Sequence, residues 1–221
     1  MKRYQAGGAE FRLEIPALDV VPGAKLAFIG ESGSGKSTLL ELLAMILRPD
    51  SSGEFTFRPR SQDAAHDVAA AWQAGNLDLL ADLRSRHIGY VLQHGGLLPY
   101  LTVRENIDLS RRLLHGPGAD VAEGWAERLR IADQLGKRPA ELSIGQRQRV
   151  AIARALAHDP TVLIADEPTA AIDPLNAERI LELMVGLVDE LGVTLVVASH
   201  AHALMKHAGL RMIDHRIETS D

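Results

Sequence analysis

An α/β fold built on a mainly parallel sheet is predicted by three features of the sequence. Four short aliphatic runs, "AKLAFI" (24–29), "HIGYVL" (87–92), "TVLIA" (161–165) and "VTLVVAS" (193–199), read as strands buried on both faces, the pattern of parallel rather than half-solvated antiparallel strands. The last two flank a helix, so 161–199 is a strand, helix, strand unit of the kind that crosses over right-handedly within one sheet. The first runs directly into a glycine-rich loop, "GESGSGKST", and an apolar helix, "STLLELLAMIL".

The helix between the third and fourth strands carries its own boundary signals. Asp173 stands at the N-cap and Pro174 at the first helical position. Ile180, Met184, Leu187, Val188 and Leu191 form one apolar stripe, and Gly192 stops the helix. Two stretches depart from the strand and helix rhythm. Residues 54–86 open with the alternating "EFTFR", pass through the Ala-rich "DAAHDVAAAW" and rejoin the strand pattern at Ile88, which predicts a small β-rich lobe with a helical insertion. Residues 103–157 are helix-forming apart from "HGPGAD" (115–120) and Pro139, which predicts a helical subdomain beside the sheet.

Composition narrows the function. The 221 residues are 46% hydrophobic, with no run near the ~20 apolar residues a membrane span needs. A net charge of −5 leaves no basic footprint for nucleic acid. With no cysteine, disulfides and thiolate metal sites are excluded, which suits the cytosol. No apolar segment follows the basic opening "MKRYQAGG", so no signal peptide is expected.

The loop after the first aliphatic strand fits the pattern G-x-x-x-x-G-K-[ST] in the required setting of strand before and helix after. Gly30, Gly33 and Gly35 let the backbone turn N–H groups toward a β-phosphate, with Ser32, Ser34 and Thr38 in the same cradle. Lys36 reaches the β and γ oxygens, Ser37 offers a hydroxyl to Mg2+, and the helix dipole adds its positive end. A second acidic site follows in "TVLIADEP": Asp166 ends a strand where the phosphates lie and is placed to hold Mg2+, and Glu167 is placed to polarise an attacking water.

The segment "ELSIGQRQRVAIARAL" (141–156) resembles the "LSGGQ" signature of ATP-binding-cassette ATPases. Ser143 occupies an N-cap position with Gly145 and Gln146 in the first helical turn, so a hydroxyl and free N–H groups face an anion. The resemblance implies that this anion is the γ-phosphate held by the opposite subunit. Ile144 stands where the family most often has glycine. A β-branched residue disfavours positive φ, so an ordinary backbone conformation is expected there.

Other landmarks of the family occur in order. Gln93, at the end of "HIGYVLQ", matches the glutamine that contacts Mg2+ and water. Asp173 in "EPTAAIDP" matches the aspartate of the loop that follows the acidic site. His200 after "TLVVAS" matches the histidine that touches the γ-phosphate, and His202 and His207 are expected on the surface of the next helix. Tyr4 matches the aromatic residue that stacks on adenine, with Phe11 as the alternative, although the strand usual before that tyrosine is nearly absent from the sequence.

The resemblance implies one nucleotide-binding domain over 1–221, with 94–157 as the helical subdomain and 54–86 as a variable insertion in a small antiparallel β lobe. It implies ATP and Mg2+ as ligands, an ATP-sandwich dimer with a second copy of the chain, and a membrane permease as partner. The chain would then work at the cytoplasmic face of the inner membrane. "GLLPYLTVRENI" (96–107) is similar to the macrolide-export and lipoprotein-release branch. The sequence lacks the N-K-x-D motif of GTPases, the long coiled coil of repair ATPases, and the second cassette and basic arm of translation factors. An ATPase that signals through a membrane protein without moving solute needs the same motor and stays an open alternative.

Overall fold

The computed structural model describes residues 1–6, 9–15, 17–31, 33–213 and 216–220; side chains are described for 1–3, 12–15, 17–31 and 33–213. In chain order the elements are β1 (Lys2–Ala6), β2 (Ala9–Glu14), β3 (Lys25–Ile29), α1 (Lys36–Leu43), β4 (Thr56–Phe57), β5 (His66–Asp67), α2 (Val68–Ala74), α3 (Leu77–His87) and β6 (Ile88–Val91). They continue as α4 (Val103–His115), α5 (Ala122–Arg128), α6 (Ile144–Leu156), β7 (Val162–Asp166), α7 (Pro174–Leu191), β8 (Thr194–Ser199), α8 (His202–His207), β9 (Arg211–Ile213) and β10 (Arg216–Ser220).

The four aliphatic runs are neighbours in one sheet of order β6-β7-β8-β3-β9, parallel throughout. Its strands bury both faces, which is why they read as continuous apolar runs rather than alternating ones. Phe28, Ile164, Val196 and Ala198 point to the face covered by Leu39 and Leu40 of α1. Ala27, Leu163, Ala165, Leu195 and Val197 point to the other, where they meet Val150 and Ala151 of α6 and Ile180, Leu181 and Met184 of α7. Successive residues therefore serve opposite layers, and the sheet is held between helices. A third cluster, Met45, Val68, Trp72, Leu80 and Leu83, joins α2 and α3 to the end of α1.

Gly89 fixes how closely α6 lies on the sheet edge. A Cβ at that position would fall 2.2 Å from the Ala155 carbonyl oxygen, so only glycine lets helix and strand meet there.

The remaining strands differ from expectation. The antiparallel sheet is not confined to 54–86: the three-stranded order β1-β2-β10 joins both ends of the chain, with Tyr4 opposite Phe11. The region around Tyr4 is thus a strand, although its local pattern barely signals one: its partner is the neighbouring β2, and β10, from the far end of the sequence, pairs with the other edge of β2. Within 54–86 only the two-residue pair β4 and β5 forms, followed by two helices rather than one. The helix after the glycine-rich loop stops at Leu43 rather than Leu47. Met45 turns left-handed at φ 58, and the N–H groups of Ile46 and Leu47 both donate to the Glu41 carbonyl, at 2.9 and 3.1 Å. Burial of Met45 against α2 and α3 favours this ending, and Pro49 disfavours helical backbone at Arg48.

α7 begins and ends as its sequence signals. The Asp173 carboxylate accepts from the Asn176 N–H at 3.1 Å, Pro174 follows, and Gly192 closes the helix at φ 66. Among the described residues, no helix is long and apolar enough to cross a membrane.

Candidate phosphate site at the strand ends

All strands of a parallel sheet end on one side, and in this sheet β6, β7, β8 and β3 are adjacent in that order. Topology alone therefore gathers the chain after Val91, Asp166, Ser199 and Ile29, which carries Gln93, Glu167, His200 and the glycine-rich loop. This is the edge where α/β proteins place their ligands.

In the loop, Gly33 and Gly35 have φ of 83 and 70, the conformation that turns successive N–H groups inward and that side chains resist. Gly30 plays a different part: its N–H donates to the Ser199 carbonyl at 3.3 Å, tying the loop to β8. Ser34 and Thr38 are half-buried and Ser37 is exposed at the start of α1. Ser32 lies outside the described residues.

Lys36 is buried, and its ammonium donates to the carbonyls of Gly30 at 2.7 Å and Glu31 at 2.8 Å. The same Nζ lies 3.4 Å from Glu167 Oε1, while Glu167 Oε2 lies 2.9 Å from Nδ1 of His200. Lysine, glutamate and histidine thus form one chain across β3, β7 and β8. Glu167 is held there by its N–H bond to the Ala198 carbonyl at 2.9 Å and by a left-handed backbone, φ 46. For a residue with a Cβ that conformation costs roughly 1–2 kcal/mol, strain of the kind found at functional sites. A neutral His200 bonded this way carries its proton on Nδ1, leaving Nε2 as an acceptor.

Asp166 is buried with its Oδ1 atom unpartnered. An acceptor in that state costs free energy unless a cation or donor completes it. The Ser37 hydroxyl, Asp166 carboxylate and Gln93 amide are the oxygen donors that the sequence assigns to a cation, and oxygen donors suit Mg2+. Beside this carboxylate, Tyr90 is held well above the ordinary phenol range, first by burial and then by the charges of Asp166 and Glu41. Tyr90 drew no notice in the sequence because it reads simply as an apolar strand position.

Gln93 does not end the strand as expected. β6 stops at Val91, and Gln93 and His94 are the exposed central residues of a turn closed by the Gly95 N–H on the Leu92 carbonyl at 2.8 Å. Asp173 is exposed at the N-cap of α7, and bonds from Asn176 hold its carboxyl below the usual range.

At the start of α6, the Ser143 hydroxyl accepts from the Gln146 N–H at 3.3 Å and the Gln146 amide oxygen accepts from the Ser143 N–H at 2.9 Å. This reciprocal cap shapes the turn but uses only the accepting side of the hydroxyl, so Ser143 keeps a proton to donate and the first helical turn keeps free N–H groups. Ile144 is 47% exposed and is absent from the residues with positive φ, as its branching predicts. Gly145 packs near Ile180, with room for an added Cβ at 3.8 Å. The Tyr4 backbone lies in β1; its side chain lies outside the described atoms, so the adenine assignment is not placed.

A glycine cradle, a buried lysine and an acidic pair at the ends of parallel strands define a P-loop nucleotide site, and the capped serine helix adds the mark of one class. The ABC transporter family matches residues 13–170, and the chain belongs to it. The lipoprotein-releasing system ATP-binding protein LolD of Idiomarina loihiensis is 38% identical over 90% of this chain and 84% of its own length. The methionine import ATP-binding protein MetN of Caulobacter vibrioides is 42% identical over 90% of this chain, which spans only 57% of that relative. A dimeric ATP-binding cassette solved in a post-hydrolysis state with ADP and Pi superposes with a TM-score of 0.75 at 32% identity, covering 98% of this chain and 94% of that one.

Proposed function

We propose that this chain is the ATP-driven motor of a membrane permease, working as a dimer that closes around two ATP molecules. The observation that carries the reading is the Lys36, Glu167 and His200 chain at the strand ends, next to an Asp166 oxygen without a partner. Lys36 exchanges its carbonyl and carboxylate partners for the β and γ oxygens of ATP. Glu167, freed from Lys36, accepts a proton from a water aimed at the γ-phosphorus; the new P–O bond forms as the bond to the β-phosphate oxygen breaks. His200 orients Glu167 and then the γ-phosphate. Mg2+, held by Ser37, Asp166 and Gln93, would neutralise charge on the transferring phosphoryl group. Tyr4 is assigned to adenine.

Ser143, Gly145 and Gln146 are assigned to the γ-phosphate bound by a second copy, with Asp173 at the contact between copies. In this assignment residues 1–221 form one nucleotide-binding domain, 94–157 its helical part and 54–86 an insertion. Its place is the cytoplasmic face of the membrane, through the permease. We assign the work to export or extraction, on the likeness of residues 96–107 to the macrolide-export and lipoprotein-release branch. Import is the second reading, favoured by the 42% identity to a methionine import ATP-binding protein. Copurification of the permease and transport in vesicles separates the two.

Linked tandem dimers test the composite site. With Lys36→Ala in one copy and Ser143→Arg in the other, both lesions fall in one composite site and the second stays whole, so ATPase activity persists. With both lesions in one copy, each site carries a defect and activity falls by several powers of ten, roughly the worth of lost phosphate stabilisation. The reverse order of activities would show that each chain completes its own site.

A further inference from the structure

The turn that carries Gln93 is pinned to α6 from behind. Its closing residue, Gly95, and the next, Gly96, both have left-handed backbones, φ 75 and 58, so their carbonyls turn away from the strand direction. Both carbonyls accept from one guanidinium: Arg154 donates through one terminal nitrogen to Gly96 at 2.9 Å and through the other to Gly95 at 3.0 Å. Arg154 is half-buried, has no ion pair among the described residues, and burial draws its guanidinium below the ordinary arginine range. A cation in that position has no charge partner to satisfy it; its compensation comes from these two carbonyl dipoles. Gly95 also lies directly on the helix, where an added Cβ would sit 3.5 Å from Ala151 Cβ and 3.6 Å from the Arg147 carbonyl oxygen.

We infer that Arg154 is a positioning residue for the hydrolytic site: by holding Gly95 and Gly96 on α6, it fixes where the turn presents Gln93. Arg154 stands in the last turns of the same helix whose first turn follows Ser143. A helix of 13 residues is about 20 Å long and rigid on this scale, so the two-carbonyl clamp ties the placement of Gln93 to the placement of the serine turn. A planar guanidinium can serve two carbonyls at once in a fixed fork, which an ammonium cannot do.

The inference rests on the assignment of Gln93 to the Mg2+ and water side of the site, and the experiment is arranged to separate the two. Arg154→Met keeps the aliphatic stem and removes the donors. In the nucleotide-free protein, amide hydrogen exchange at residues 93–97 is expected to rise at least about tenfold, with exchange in α7 and β8 unchanged. With ATP, the Mg2+ concentration for half-maximal ATPase activity is expected to rise at least threefold, as it does in Gln93→Ala, while KM for ATP changes less than twofold. Arg154→Lys is expected to fall between wild type and Arg154→Met in both readouts, and it carries the test should Arg154→Met fail to fold. Arg111→Met, which removes a bond to the Ala157 carbonyl on the same layer, is expected to leave the Mg2+ midpoint unchanged. Wild-type exchange at 93–97 in Arg154→Met overturns the inference. So does a Mg2+ midpoint that moves in Gln93→Ala but not in Arg154→Met, or that moves equally in Arg111→Met. A midpoint unmoved in Gln93→Ala overturns the Gln93 assignment itself.

Discussion

Replacing Glu167 by Gln should stall hydrolysis and tighten ATP binding together, and the geometry gives the size of each effect. The substitution preserves side-chain shape and the left-handed backbone at φ 46, so it isolates the charge. In the nucleotide-free site Glu167 stands 3.4 Å from the Lys36 ammonium. At an effective dielectric near 20, that separation corresponds to about 5 kcal/mol of attraction, most of it offset by the desolvation of two buried groups. ATP must draw Lys36 away from this carboxylate and bring its own negative phosphates toward it. Removing the charge lifts both penalties, and a net gain of about 1.4 kcal/mol appears as roughly tenfold tighter ATP binding. An amide cannot accept the proton of the attacking water, so single-turnover hydrolysis should fall by about 10²–10⁴-fold. Equilibrium binding of a fluorescent ATP analogue and single-turnover hydrolysis, measured on the same preparations, check both numbers. Wild-type hydrolysis in Glu167→Gln would place the base elsewhere, and weaker ATP binding would refute the competition between Glu167 and phosphate for Lys36.

Two further outcomes follow from the fold. Gly89→Ala would place a Cβ 2.2 Å from the Ala155 carbonyl oxygen, so α6 must move off β6; chemical denaturation should show a loss of about 1–3 kcal/mol. His158 is buried, and that burial draws its folded-state pKa below the ordinary value, with the Ile88 backbone and the charge of Asp159 opposing and the charges of His87 and Arg111 adding to the depression. The unfolded chain therefore binds the proton more readily, and the stability held above about pH 6.5 declines as pH falls through the unfolded pKa toward the folded one. Melting temperature measured between about pH 5 and 8 should show this decline, and His158→Gln should reduce it in that window, leaving the part due to His87, whose pKa burial also lowers.

Much of the site was legible from local chemistry. The N-caps Asp173 and Ser143, the stop at Gly192 and the left-handed Gly33 and Gly35 all depend on a few consecutive residues, and such turns follow from backbone sterics and short-range hydrogen bonds. Four aliphatic runs sufficed for a parallel sheet because strands buried on both faces cannot tolerate alternation. What went unread depends on residues far apart in the chain. β10 joins β2 from the other end of the chain to complete the sheet that holds Tyr4, Met45 ends α1 early because α2 and α3 bury it, and the turn that carries Gln93 is bonded to α6 through Arg154.

The sequence by itself determined which groups are available to hold phosphate and move a proton, since the lysine, carboxylates, serine and histidine sit in short motifs whose local geometry the residues dictate. Tertiary structure alone decided that Glu167 stands between Lys36, as an ion pair, and His200, as a hydrogen bond, that an Asp166 oxygen is left open beside them, and that Arg154 reaches back to the Gln93 turn. The physical reason is strand order. β3 becomes the neighbour of β8 through hydrogen bonds that pair Lys25 with Leu195, and β8 that of β7 across the whole of α7, and no local preference encodes which strand lies beside which.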